Sequence, residues 1–340
     1  MRKVKLTEGQ LIQTKSGFIF DVKGLVHPPG KVIAFPRFIP DSSGNRELEG
    51  RRYKKVYSIS ARFKFLEQTL PDYIVYDRVF DERLCEVPLK DVSCFYEPTS
   101  FLQELRCSEK LDTLEREALE FLKLLKEYTN VSWSKLGISG SLLVKLHTKN
   151  SDIDPIVYGS KNCREVHKVL RTLVQNKESQ VKPYSKEELQ KLFQFRLQDT
   201  QTSFEDFVKT ESRKALQGKF KGRDYFMRFV KDSSEIQEDY GAVQYKNMGY
   251  AEVKAEVEDD SEAIFTPCNY KIRKVKVLEG ARSNLIDEIA SFRGRFCEQA
   301  KKGEVIIARG KVEHVSDCKQ NREHFRLLLG NKPSDFMVLA

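Results

Sequence analysis

The sequence predicts an α+β fold, with a mixed sheet and helices in the middle of the chain and β-rich domains at both ends. Three observations predict it. Residues 1–107 carry short aromatic and β-branched runs cut by proline and glycine, the apolar spacing changes to three and four from Ser108, and Tyr250 to Val257 alternates strictly between apolar and charged residues. At roughly 150 residues per domain, a chain of 340 residues holds two or three. The expected boundaries are 1–107, 108–232 and 233–340.

In the first region Gly17-Phe18-Ile19-Phe20, Lys31-Val32-Ile33-Ala34-Phe35 and Tyr73-Ile74-Val75-Tyr76 have strand composition. His27-Pro28-Pro29-Gly30 is a turn in which His27 is a turn residue rather than a ligand, and Asp41-Ser42-Ser43-Gly44-Asn45 is a loop. Ser108 is then expected to cap an amphipathic helix whose apolar face is Leu111, Leu114, Ala118, Phe121, Leu122 and Leu125. Short strands are expected over 135–139 and 152–157, a helix over 163–173 and one or two helices over 186–216. An aromatic strand from Arg223 to Val230 is expected to join the same sheet, and residues 232–235 have linker composition. In the last region the alternating strand turns at Asp259-Asp260-Ser261 into Ala263-Ile264-Phe265 as a hairpin. Leu285, Ile289, Phe292 and Phe296 predict a helix ending near Gly303, followed by a strand over 304–309.

Composition narrows the function classes. Hydrophobic residues make up 40% and charged residues 32%, against a usual charged share of about 25%, and mean hydropathy is −0.52, which excludes a disordered chain and a membrane bundle. No apolar run approaches the roughly 18 residues of a membrane span, and the basic start Met1-Arg2-Lys3 leads to Lys5 and Glu8 rather than to an apolar stretch. A cytoplasmic location without membrane contact is expected. The net charge of +9 favours a polyanionic partner. The seven cysteines form no CxxC pair and no finger spacing, so reduced thiols are expected.

The chemistry concentrates in Gly137-Ile138-Ser139-Gly140-Ser141-Leu142 and, ten residues beyond Ser141, Ser151-Asp152-Ile153-Asp154-Pro155-Ile156-Val157-Tyr158. A strand running into Gly140-Ser141 brings backbone N–H groups and a hydroxyl to an anion. Asp152 and Asp154, two apart on a strand, share a face and can hold Mg²⁺ through oxygen ligands.

A Gly-Ser turn, this spacer, and Asp-x-Asp at the head of an apolar strand together resemble the signature of the DNA polymerase β-like nucleotidyltransferase superfamily, in its archaeal form. The resemblance spans about residues 108–232. It implies a nucleotidyltransferase core with a mixed sheet and helices, Gly140 and Ser141 binding a nucleoside triphosphate, and Asp152 and Asp154 as catalytic ligands of two Mg²⁺ or Mn²⁺ ions. The implied reaction is attack of a nucleic-acid or protein hydroxyl on the α-phosphate with release of pyrophosphate. Pro155, where an aliphatic residue is usual, departs from the pattern, as does the missing spacer glycine, and Pro155 suggests a strand edge or bulge.

The superfamily carries a third carboxylate on a later strand. Asp224 is the candidate here, sharing a face with Phe226 and Arg228 if residues 223–230 are one strand, or sitting in a Gly222-Arg223-Asp224 turn if they are not. Glu252 and Glu256 share a face farther on. Lys145, Lys149, Arg228 and Lys231 are the basic groups placed to meet phosphates, with Lys145 and Arg228 preferred for nucleotide binding. Two basic clusters, Arg51-Arg52-Tyr53-Lys54-Lys55 with Tyr57, Phe63 and Phe65 nearby, and Arg293-Gly294-Arg295 with Lys301-Lys302, are either grips on an RNA or DNA acceptor or solvated faces. His147 and His167 are expected on helix surfaces or in packing, and Trp133 beside the motif strand. Two functions remain open, an enzyme of nucleotidyl transfer and a catalytically degenerate nucleic-acid-binding module.

Overall fold

The β-branched and aromatic runs of the N-terminal region pair into one antiparallel sheet. The computed structural model describes residues 5–197, 199, 201–236, 238–281 and 286–340. The sheet runs in the order Arg46–Leu48, Arg51–Lys55, Lys31–Pro40, Ile19–Val22, Leu11–Thr14, Val92–Tyr96, and Lys31, Val32 and Ile33 also pair Pro88, Val87 and Glu86. Its buried face gathers Ile12, Phe20, Val22, Val32 and Ala34 against Leu66 of the helix Ile59–Thr69. His27 closes the turn: its Nδ1 accepts from the Ile33 N–H at 3.2 Å, so its Nε2–H donates to the Leu6 carbonyl at 3.0 Å. Burial pushes this imidazole down to about 4, which keeps it neutral.

The chain forms two compact units, one of Met1–Ile74, Cys85–Lys182 and Ala215–Ile236, the other of Val75–Leu84, Pro183–Lys214 and Gln237–Ala340. The expected boundaries at 107 and 232 follow the chain, whereas these units are interleaved along it. In the first unit the helix Pro98–Cys107 precedes the helix Thr113–Glu127, and Ser108 ends the former rather than capping the latter. The cap is Asp112, in a reciprocal capping box with Glu115.

The α+β expectation, a nucleotidyltransferase core with a mixed sheet between two β-rich domains, is corrected. The protein is β-rich, with 38% of residues in strands against 26% in helices. Residues 108–232 do not build one core sheet. Leu136–Ile138, Pro155–Tyr158 and Arg228–Val230 form one three-stranded sheet, and Val181–Lys182, Gln217–Phe220 and Arg223–Phe226 another. The aromatic stretch expected as one strand breaks at Met227, which is fully buried and whose N–H donates to the Leu216 carbonyl at 2.7 Å. A backbone bond spent outside the ladder divides the run between two sheets. Pro155 is the first residue of its strand, where the missing donor is tolerated, and the strand is central, flanked antiparallel by 136–138 and parallel by 228–230.

In the second unit the sheet order is Val243–Asp259, Cys268–Gly280, Ile286–Ser291, Arg322–Leu329, Val305–Asp317, Phe336–Leu339. The first and fifth of these also pair, closing five strands into a ring, and Ile286–Ser291 runs parallel to Arg322–Leu329. This is the connectivity of the OB-type Greek-key barrel. The helix expected from Leu285 to Gly303 is therefore corrected. Leu285 lies outside the described residues, 286–291 is a strand with Ile286, Ile289 and Ala290 buried between two neighbours, and 294–296 is one 3₁₀ turn. The hairpin's return strand begins at Cys268, with Ala263 to Phe265 buried in the turn before it. Arg293 and Arg295 hold Asp199, so the arginines of that basic cluster are tied up within the unit, while Lys301 and Lys302 are exposed. The seven cysteines are all free thiols. Among the described residues, no helix is long and apolar enough to cross a membrane.

Candidate functional site

The two halves of the motif meet through the backbone. Leu136–Ile138 ends at Ser139, whose N–H donates to the Asp154 carbonyl at 2.8 Å and whose hydroxyl donates to the Gly9 carbonyl at 2.6 Å. Asp152 and Asp154 stand just before the strand Pro155–Tyr158. Buried Ile153 between them is clamped, donating to the Asp224 carbonyl and accepting from the Phe226 N–H, both at 2.9 Å. Gly140 adopts φ +68°, and a Cβ there would lie 1.8 Å from Oδ2 of Asp154. Glycine is required because the carboxylate rests against its backbone.

The electrostatics are those of an acid pair enclosed by cations. Burial and then the neighbouring Asp152 charge push Asp154 up to about 7, while Lys55, Arg228 and Arg37 pull it back. Burial and Arg37 push Lys55 down to about 8, against Asp152 and Asp154, which favour its charged form. Arg228 lies among Asp21, Glu8 and Asp154, with its Nη1 3.5 Å from Glu8 and 3.9 Å from Asp21. Burial would raise Asp21, but Lys23 at 2.9 Å, Arg228, Arg37 and Arg62 hold its carboxyl well below the usual range. Fully buried Glu8 is raised by burial. The Ser141 hydroxyl, 1% exposed, has no hydrogen-bond partner among the described residues.

Of the residues expected at the site, Asp152, Asp154, Gly140 and Arg228 converge, and Ser141 lies directly beside Gly140. Among the described residues Lys145 joins them through no ion pair; it is exposed and follows the short Gly140–Leu143 helix at φ +53°. Asp224 is half-exposed and ion-paired to Lys219 at 3.0 Å. What it brings to the aspartates is its backbone carbonyl. Position 228, which pairs Ile156 two residues beyond Asp154, carries arginine. Sequence reasoning missed Glu8, Asp21, Arg37 and Arg46, the last of which donates to the Leu146 carbonyl and to the Ser151 hydroxyl next to Asp152; Lys55 was visible only as one member of a basic run.

One three-residue cluster of metal-ligating side chains occurs among the described residues, Asp112, Glu115 and His147. It is accounted for by the capping box, with His147 Nε2 2.5 Å from Asp112. His167 packs edge-on against Phe229, and Arg106 lies over the Trp133 ring at 4.2 Å.

Beside the aspartates the hairpin 46–55 and its flanks form a groove of about 440 Å³ lined by Ser43, Asn45, Arg46, Lys54, Lys55 and Tyr57, with no carboxylate residue in its wall. The chain is 32% identical to the uncharacterized protein MJ1086 of Methanocaldococcus jannaschii over 344 aligned positions, covering 98% of this chain and 97% of that protein. The chain belongs to its family. No family model and no solved structure matches.

Proposed function

We propose that this protein transfers a nucleotidyl group from a nucleoside triphosphate to an acceptor hydroxyl. The observation that carries the reading is the Asp152–Asp154 pair, one member of which is pushed up to about 7 while Lys55, Arg37 and Arg228 gather round it. Burial and the Asp152 charge disfavour the charged form of Asp154, and a metal cation held by the pair would favour it. The residues fit Mg²⁺ or Mn²⁺, since oxygen ligands on a shared site suit a hard cation, and Asp152 and Asp154 would hold it. Such an ion would neutralise charge on the reacting phosphate oxygens. The reading rests on this chemistry and on the resemblance of the Gly140-Ser141 and Asp152-x-Asp154 signature, not on a shared fold.

The chain's own groups divide the work. Lys55 and Arg228 offset the negative charge of the triphosphate, and the unpartnered Ser141 hydroxyl is available to donate to a phosphate oxygen. The acceptor oxygen bonds to the α-phosphorus, the bond to the β-phosphate oxygen breaks, pyrophosphate leaves, and the acceptor proton passes to solvent. Incubation with α-labelled nucleoside triphosphates, Mg²⁺ or Mn²⁺ and hydroxyl acceptors should label the acceptor. Asp152→Asn should lower that rate at least about a hundredfold, and an unchanged rate would overturn the assignment.

A second reading, nucleotide and nucleic-acid binding without turnover, is favoured by the position of Asp224, which is paired to Lys219. Tight binding of the Mg²⁺ complex of a triphosphate with no labelled product under any metal would support it.

A further inference from the structure

We infer that the groove beside the aspartates is the acceptor site and takes the single-stranded end of a nucleic acid. This deepens the transfer reading and rests on it for the word acceptor. Three features of the groove select the ligand. Its wall carries Arg46, Lys54 and Lys55 and no acid, so it takes an anion. Its aromatic residue, Tyr57, is 44% exposed, with Lys55 Nζ 4.9 Å and Arg37 Cζ 5.5 Å from the ring centroid, so the anion that suits it also bears a flat ring. The polar edge is Ser43 and Asn45, and exposed Asn45 offers both donors and an acceptor to a base.

The cations continue beyond the groove, which separates a strand from a mononucleotide. On the strand Arg51–Lys55, Arg52 and Lys54 are both exposed and project from the same face, Tyr53 between them being buried. Their spacing of about 6.6 Å along the strand is close to that of successive phosphates in an extended single strand. Glu47 is in register opposite Arg52 and limits the positive run at its far end. Phe63 and Phe65, the other aromatics near this cluster, are partly buried against the sheet's core, on Phe35 and Phe18.

Lys55 fixes the direction. It lies against Tyr57 and is also among the charges acting on Asp154. A base stacked on Tyr57, with its backbone phosphate on Lys54, therefore has its terminal hydroxyl on the Lys55 side, toward the acid pair. The barrel strand Cys268–Gly280 is the competing basic surface, but its Arg273 and Lys274 are bound to Glu256. That face carries mixed charge, whereas no carboxylate lines the groove itself.

The test is fluorescence anisotropy of the full chain with labelled oligouridylate, oligodeoxythymidylate and a duplex of equal length, in chelator and without triphosphate. At least one single strand should bind at least about tenfold more tightly than the duplex. Tyr57→Ala should weaken that binding roughly fivefold to a hundredfold while Tyr57→Phe retains it. Lys54→Ala should flatten the dependence of log affinity on log salt by about 0.7. The double variant Lys271→Ala, Lys276→Ala on the barrel should change affinity less than about twofold. The inference is overturned if duplex binds as well as single strand, if Tyr57→Ala binds like the wild type, if the barrel variant carries the loss, or if Tyr57→Ala weakens a triphosphate as much as an oligonucleotide. Because neither metal nor triphosphate is present, a chain that binds strands and transfers nothing keeps the groove and loses the transfer reading. One that transfers but ignores strands does the reverse.

Discussion

Gly140 and Asp154 constrain one another. The carboxylate occupies the space a side chain at 140 would need, and the backbone there is left-handed at φ +68°. Gly140→Ala should therefore unseat Asp154 and cost about 1–3 kcal/mol of stability, seen as a lower urea midpoint together with loss of Mg²⁺ binding by calorimetry. Retained Mg²⁺ affinity would mean that Asp154 is not a ligand. The proton on Asp154 makes a second prediction. Its carboxyl titrates near 3.8 when unfolded and is pushed up to about 7 in the folded chain, so the folded state holds the proton between those values. The stability this contributes is complete below the lower value and is lost as pH rises through the upper one. Urea unfolding without metal should show stability falling over that window, and Asp154→Asn should flatten the fall. Mg²⁺ affinity should rise over the same window, because the proton and the cation compete for the carboxylate.

The elements explain why part of the site was legible in the sequence and part was not. Gly140-Ser141 and Asp152-x-Asp154 lie within one strand-turn-strand segment, so their local pattern carries their meeting. Lys55, Arg37 and Asp21 come from a different sheet, and Glu8 from the turn before it, about a hundred residues or more earlier, and no spacing rule encodes that approach. Two strands were misjudged for related reasons. Residues 223–230 have continuous strand composition, but the tertiary hydrogen bond of Met227 divides them. Residues 286–291 are too short for apolar spacing to separate a helix from a buried central strand. The division at Met227 also decides the role of Asp224. Since its carboxylate faces Lys219 and only its carbonyl meets Ile153, Asp224→Ala should leave transfer and Mg²⁺ affinity within about twofold. Phe226→Pro, which removes the N–H donated to the Ile153 carbonyl, should lower both and cost at least about 1–3 kcal/mol. Equal effects of the two variants would contradict a role carried by the backbone.

Across the whole molecule, charge is buried in both units, but to different ends. Near the acid pair of the first unit Lys55, Arg37 and Arg228 all act on Asp154, and under the transfer proposal Lys55 and Arg228 would meet the triphosphate. In the second unit one buried network carries its own matching charges. Lys311, 1% exposed, lies 2.7 Å from both Glu313 and Glu82, and Arg326 donates to the other oxygen of Glu313 at 2.8 Å with its guanidinium 4.1 Å from the Tyr245 ring centroid. One carboxylate, 2% exposed, thus serves two cations across neighbouring barrel strands. Glu313→Gln should leave both cations short of charge in a dry interior and cost about 3–5 kcal/mol, the scale for a broken buried pair. Lys311→Met should cost less, because Arg326 still neutralises Glu313 and Glu82 is partly solvated. Urea unfolding of the two variants measures the order, and a smaller loss for Glu313→Gln would overturn the shared-carboxylate account. In native buffer neither change should alter oligonucleotide affinity at Tyr57, since the groove and the Glu313 network belong to different units.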